Sequence, residues 1–442
     1  MNATTLAGRV EVVADEDGLT SRAGTALLVG VADRVGLTGA LGEAMSGVRA
    51  RASRHCPGRA LRDVAVMLAD GGDALCDVRA LRDEPSLFGV VASDATAWRA
   101  VAAVDADRLD AMRRARAVAR ARVWALSGAP RRVILDIDAT LITAHSDKQG
   151  AAGTYKGGYG FCPLVCFEAS TREAMSALLR PGNAGANNAL DHVEVLCLAL
   201  EQLPAEIDPR SVLLRCDSGG ATHLVTDTAS ELGLRFSVGF DLTEPVRAAI
   251  LRLPESAWQA ALGSDGELRD GAGVAELADL DLSAWPVGTR AICRRERPHP
   301  GAQLSFSDHD GHRFQVFITN QSGRRIARLE QIHRQRATVE DSIRCAKDSG
   351  LRNLPFRALA PNAAWLELVL MGQDLIAWTQ RLLLAEAPAR RWEPKRLRYR
   401  LLHVAARLTR HARRTRLHLP SGWPWRYELI SAWQRLAALP VM

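Results

Sequence analysis

Arg131-Arg132-Val133-Ile134-Leu135-Asp136-Ile137-Asp138-Ala139-Thr140 is a short, β-branched apolar run with two carboxylates set into it. The composition is that of a buried strand. Successive strand residues alternate faces, so Asp136 and Asp138 project from the same side of a sheet. Two like charges on one face repel unless a cation or a proton resolves the conflict. Carboxylate oxygens are the ligands that Mg²⁺ prefers.

Outward from this run the texture is α/β. A Gly-rich, hairpin-like segment (GAAGTYKGGYGF, 150–161) and a strand candidate (CPLVCFEAS, 162–170) follow it. Next come an amphipathic helix (ALDHVEVLCLALEQL, 189–203) and the apolar strand SVLLRCDSGG (211–220). That strand ends on Asp217, before a Gly pair that lets a backbone or ligand come close. A lone Asp at a strand end is commonly a turn or cap residue. Residues 236–328 read as a mainly β insertion, with strand candidates RFSVGFDL, TRAICRRERP, AQLSFSD and HRFQVFITN and breaks at Pro286, Pro298 and Pro300. From about Ile326 the pattern is helical to the end.

The segment 325–350 carries the next candidate group. On an ideal helix His333, Arg336, Glu340, Arg344 and Lys347 fall within an arc of roughly 80°. Ile332, Val339, Ile343 and Ala346 form an apolar stripe beside it. One acid bracketed by four bases is poorly balanced for a salt-bridged surface helix and better matched to an anionic substrate.

The spacing His333-x2-Arg336-x3-Glu340-x6-Lys347 resembles the Y-x2-R-x3-E-x6-K signature of insertion-sequence DDE transposases, with His where Tyr is usual. The blocks LDIDATLITAHSDKQGAAGTYKGGYGFCPL, LLRPGNAGANN, RCDSGGATH, RRERPHPGAQL, VEDSIRCAKDSGLRNLPF and VMLADGGDALCDVRALRDEPSLFG are similar to one bacterial branch of that superfamily, so the likeness runs over nearly the whole chain. The resemblance implies an α/β, RNase H-like catalytic core with a mainly β insertion, flanked by helical regions. It implies catalysis by Asp138, Asp217 and Glu340, chosen by the D-x-T context of Asp138, with Asp136 as a further candidate metal ligand. Two Mg²⁺ ions, replaceable by Mn²⁺, would serve DNA cleavage and 3′-OH strand transfer. The partners implied are double-stranded DNA, as terminal repeats and target, and a second copy of the chain in a synaptic complex. His333, Arg336, Arg344 and Lys347 are the expected DNA contacts around the metals.

The same Asp136-x-Asp138-x-Thr140 strand is also compatible with a haloacid-dehalogenase-type phosphatase, Asp136 being the nucleophile and Asp138 the acid. No apolar strand leading into the acidic pair of such enzymes is evident, and Glu340 has no role in that scheme. A transposase-derived DNA-binding protein without catalysis is a further alternative, against which the intact acidic trio argues.

These readings partition the 442 residues into an N-terminal helical, DNA-end-binding part (1–130), a first core part (131–235), the insertion (236–328), a second core part (329–385) and a basic C-terminal helical part (386–442). Three N-terminal segments, within 20–37, 59–71 and 94–126, have apolar residues at helical spacing. The last contains MRRARAVARAR (112–122), open either to solvent or to phosphate. Between Arg390 and Arg416 there are eleven Lys or Arg and one acid, Glu393; Arg396, Arg398 and Arg400 there are candidate phosphate contacts beside Trp392 and Tyr399. Trp285, Trp365 and Trp378 are candidates either for stacking on a flipped base or for the core. Hydrophobic residues at 47% and charged residues at 24% are globular, and a formal charge of +7 is a mild basic bias. The eight cysteines form no CxxC pair, and the N-terminus has no apolar run behind a basic start. A reducing, cytoplasmic, nucleoid-associated setting is expected, with the cysteines as buried small hydrophobes.

Overall fold

The computed structural model describes residues 16–48, 55–144, 147–298, 301, 308–309, 311–411 and 414–440. Pro300, Arg413 and all of the AQLSFSD segment but its final Asp308 lie outside them. At the centre is a nine-stranded sheet. Its strands are β1 (Val133–Ala139), β2 (Leu164–Glu168), β3 (Ala174–Leu178), β4 (Val212–Cys216), β5 (Arg235–Phe240), β6 (Gln259–Leu262), β7 (Leu268–Glu276), β8 (Arg290–Glu296) and β9 (Arg313–Thr319). They lie in the order β6-β7-β8-β9-β5-β4-β1-β2-β3. β1, β2 and β3 are antiparallel neighbours, whereas β4 and β5 run parallel to β1. This is the RNase H-like arrangement. β1 and β4 read as continuous apolar runs because helices cover both faces at the centre of such a sheet. The insertion does not form a separate layer: β9 pairs antiparallel with β5, and β8, β7 and β6 continue the same sheet outward.

Residues before and after the sheet in sequence share its core. Helices α1 (Pro57–Asp70), α2 (Ala106–Ser127) and α6 (Leu359–Leu383) pack together, and one buried apolar cluster runs from Ala23 to Leu436. α6 is buried along nearly its whole length, yet it carries Glu367, Asp374 and Arg381. No helix among the described residues is long and apolar enough to cross a membrane. Trp365 and Trp378 have no exposed surface; Trp365 Nε1 donates to Gly350 O at 3.0 Å, and Trp378 Nε1 to Glu173 at 2.7 Å. Both are core residues and cannot receive a flipped base. Trp285 is half-buried between His223 and Phe240.

The arginine run on α2 is neither solvated nor free for phosphate at its key positions. Arg116 and Arg120 are buried against the outer edge of the sheet. Arg120 bonds Glu173 Oε1 at 3.2 Å, Asp374 Oδ2 at 2.5 Å, Gln202 Oε1 at 2.6 Å and the Ala174 carbonyl at 2.8 Å. Arg116 donates to the carbonyls of Ala174 and Met175, and Asp374 accepts from the Ala174 amide. Backbone groups of Ala174 and Met175, at the first end of edge strand β3, are thereby satisfied by side chains.

The C-terminal basic part also departs from a purely helical reading. Strands Ala406–His411 and Arg414–His418 form a hairpin, joined by Leu19–Thr20 into a three-stranded sheet. Arg398 is no DNA contact. It is buried, donating from Nε to Ala69 O at 2.8 Å, and from its two terminal nitrogens to Leu68 O, Asp348 O and Ser349 Oγ. It satisfies the last carbonyls of α1, a role for which a guanidinium is well suited. Burial lowers its pKa only to about 10, so it stays charged. None of the cysteines is paired, and Cys56, Cys76 and Cys197 are exposed, contrary to the expectation of burial.

Two substitutions test these assignments. Arg120→Met takes from buried Glu173 and Asp374 their nearest cation, leaving Arg381 at 3.6 Å and Arg116 at 3.5 Å, and should lower unfolding stability by about 3 kcal/mol in chemical denaturation. Arg398→Ala should cost about 1–3 kcal/mol through the stranded carbonyls of α1, while the salt dependence of DNA binding stays at the wild-type value.

Candidate active site

Strand register decides the fates of the two aspartates on β1. Asp136 faces Arg215 of β4 directly across the parallel pair. The guanidinium clamps it through Nε and Nη2, each at 2.6 Å, and both side chains are about 1% exposed. Burial pushes the Asp136 carboxyl up to about 6 against the pull of Arg215, so it is ionised at neutral pH. A sealed, bidentate pair leaves Asp136 neither free as a metal ligand nor accessible as a phosphatase nucleophile, which removes both expectations placed on it.

Asp138, two residues on, lacks such a partner. Its Oδ1 accepts from the Ala139 amide at 3.0 Å, and the nearest cation is Arg336, whose Nη1 lies 3.7 Å from Oδ2. That separation is too long for a hydrogen bond, and Nη1 is buried with no hydrogen-bond partner. Burial pushes the Asp138 carboxyl up to about 6; Arg336 opposes the shift, and the negative charges of Asp217 and Glu340 add to it. Asp138 therefore feels both other carboxylates across the space between β1, β4 and the glutamate helix.

Asp217 follows β4 and caps the short turn Ser218–Gly220, its Oδ1 accepting from the Gly219 amide at 3.0 Å. The glycines permit this turn. A Cβ on Gly220 would stand 2.5 Å from that of Cys216, and one on Gly239 of β5 would lie 2.9 Å from the Ser218 amide. Asp217, Arg336 and Glu340 line one cleft of about 640 Å³, together with Phe240, Arg294 and Glu330. Glu340 is exposed in the first turn of helix α5 (Thr338–Ala346).

The glutamate segment is not one ideal helix. Helix α4 (Ile326–Arg334) ends in a tight turn at Gln335–Ala337 before α5 begins. His333 consequently leaves the row of cations. Its ring stacks on Phe317 at 4.4 Å and 6°, and Nδ1 meets Ser237 Oγ at 3.0 Å. Burial, with Arg336 and Arg215 adding, pushes its pKa down to about 3, so the imidazole is neutral. It lines the wall of the cleft rather than offering charge to phosphate. Arg215 also donates to the Ile332 carbonyl, tying the end of α4 to β4.

The other expected DNA contacts separate. Arg344 is held by Glu393 at 2.9 Å and Asp341 at 3.0 Å, so its charge is already answered. Lys347 is half-buried, and burial, with Arg352 and Lys156 adding, lowers its pKa. Arg396 lies over Trp392, and Arg400 over Trp392 and Trp425. Arg215, Lys156 and Arg352 went unrecognised in the sequence: the first two matter through neighbours remote along the chain, Arg352 through Lys347 on the same segment.

Among the described residues no three His, Cys, Asp or Glu side chains stand together at metal-ligating spacing. The donor chemistry of the cleft nevertheless suits a hard divalent cation. The cleft lining brings the carboxylates of Asp217, Asp241, Glu330 and Glu340 beside Arg294, Arg334 and Arg336, with no thiol, and the Asp138 carboxylate lies 3.7 Å from Arg336, whose buried Nη1 is unbonded.

Comparison with known proteins gives the family. No curated protein matches the chain significantly. Among solved structures, the cryo-EM structure of the piggyBac transposase synaptic complex with hairpin DNA is similar at 11% sequence identity and a TM-score of 0.40, over 85% of this chain and 77% of that one. The model of the "Transposase DDE domain group 1" family matches residues 4–441. With the match spanning almost every residue, the chain belongs to the DDE transposases: it is a DNA transposase, of a family that works with divalent metal ions.

Proposed function

We propose that Asp138, Asp217 and Glu340 hold two Mg²⁺ ions, with Mn²⁺ able to replace them, and that the chain cuts the ends of its element and joins the freed 3′-OH to target DNA. The observation that carries this reading is one cleft lined by Asp217, Arg336 and Glu340, with Asp138 3.7 Å from that arginine and its carboxyl raised in part by the other two acids. Cations held there supply Lewis acidity to the scissile phosphate and lower the pKa of the attacking water.

The chain's own residues do the rest. Arg336, with an unspent donor in the cleft, is placed to bind a phosphate oxygen and to stabilise charge as the bond breaks. Neutral His333 holds the wall of the cleft without competing for phosphate. Arg215 couples β4, and through it Asp217, to the segment that carries Glu340. Lys347, with Lys156 and Arg352 close by, extends a cationic track away from the cleft, and Arg396 and Arg400 on their tryptophans extend it further along the C-terminal part. Double-stranded DNA is the partner such a track suits, and a pair of chains bringing two element ends together is the assembly.

The test uses purified full-length protein and duplexes carrying the element ends. With Mg²⁺ the wild type should cut at the 3′ ends and join them to a target plasmid, and chelation should stop both steps. Asp217→Ala and Glu340→Gln should each reduce cutting at least about 100-fold, with an unchanged unfolding midpoint for exposed Glu340→Gln and, for Asp217→Ala, only the loss of the turn cap, about 1 kcal/mol. Metal-dependent joining that persists undiminished in Asp217→Ala would falsify the assignment.

A further inference from the structure

The parallel strands have two ends, and only one carries the carboxylates. At the other, a cleft of about 690 Å³ opens where β1, β4 and β5 begin. Five arginines line it: Arg131 and Arg132 before β1, Arg210 before β4, Arg235 at the start of β5, and Arg328 on α4. No Asp or Glu lines it, and all five side chains are exposed. Among the described residues none of the five forms an ion pair. Asp208, the acid closest along the chain, is turned to its own loop, accepting from the Arg210 amide at 2.9 Å. The remaining polar lining (Ser211, Gln321, Ser322 and Gln335) brings amide and hydroxyl groups and no negative charge.

Five unanswered guanidiniums in one concavity repel one another, and that arrangement is stabilised by a polyanion. Bidentate forks in a row match successive phosphates better than a single small anion. From Val133 to Asp138 a strand rises roughly 17 Å, so a duplex in this cleft is not the stretch being cut. We infer that the Arg131–Arg132–Arg210–Arg235–Arg328 cleft is a second binding site for the phosphate backbone of double-stranded DNA, engaging a segment separate from the one at the carboxylates. This rests on the chain's membership of the DNA transposases and not on the assignment of the carboxylate triad. α4 runs between the two sites: Arg328 and Leu329 face the basic cleft, while Glu330 and Arg334 face the acidic one.

Binding to a random duplex of about 60 base pairs, followed across salt without divalent metal, isolates this site, because each phosphate contact contributes about 0.9 to the slope of log K against log salt. The triple substitution Arg131→Ala/Arg210→Ala/Arg328→Ala should lower that slope by about 2–3. A charge-matched triple on the exposed residues Arg247, Arg252 and Arg297, none of which lines the cleft, should change it by less than about 1. Equal changes in the two triples, or an unmoved slope, overturn the proposal. As a second measure needing no loss of charge, Ser322→Cys carrying a photocrosslinker should label the duplex. Its failure to label, when a probe at Ser218 does, overturns the proposal as well. Neither measurement involves cutting, so a wrong triad would leave both outcomes as stated.

Discussion

The carboxylate of Glu173, with no exposed surface, is the point on which the architecture is fastened. It receives Arg120, the indole of Trp124 and the indole of Trp378 at hydrogen-bond distance, and Arg381 approaches at 3.6 Å. Those partners come from α2 and α6, helices that lie before and after the catalytic sheet in sequence. Burying such charges is costly, and the cost is offset only when every lone pair and proton finds a partner. Here the satisfied network has a topological consequence. It welds both flanking helices to the edge strand β3, bonding the backbone of Ala174 and Met175 at its first end. The helical parts are thus continuous with the core that holds the catalytic cleft.

The same rule, applied twice on β1, separates structure from chemistry. Asp136 and Asp138 share a sheet face, but Asp136 meets Arg215 in register and is neutralised within the sheet. Asp138 lies at the strand's end, where the β4 partner has given way to the Asp217 turn. Its surroundings are therefore other acids and an arginine that reaches it without bonding. A carboxylate destabilised in this way gains most from a divalent cation. Arg215 serves both outcomes, since its third nitrogen fixes the end of α4 and so the turn that presents Glu340.

What could be read from the sequence was what depends on near neighbours. The apolar runs of β1 and β4, the Gly-rich hairpin and the long helices each carry their own period. β3 did not declare itself, because Ala-Met-Ser-Ala-Leu has little β-branching and is a strand only through its pairing with β2. β7 contains Asp270, Gly271 and Gly273, a turn-like composition overridden by its two neighbours. The Arg-rich hairpin at 406–418 reads as a basic helix until Leu19–Thr20 pairs with it. Arg116, Arg120 and Arg398 read as candidates for phosphate because their acceptors lie 49 or more residues away or on backbone carbonyls. The choice of Asp138, Asp217 and Glu340 came from the resemblance to DDE transposases, whereas the displacement of His333 needed the turn at Gln335–Ala337, which an ideal helical projection omits.

Parallel strands impose a polarity that the charges follow. Acids collect beyond the carboxyl ends of β1 and β4, where open α/β sheets form their crevices. Arginines collect at the amino ends, where the chain enters the sheet from loops and their side chains stay wet. A polyanion that spans the molecule meets acids mixed with arginines at one end, where bound metal would offset the repulsion, and arginines without acids at the other. α4 contacts both ends, and the Arg215 hydrogen bond to Ile332 fixes it to the strand between them. One short, anchored helix thus borders the basic cleft with Arg328 and the acidic one with Glu330 and Arg334.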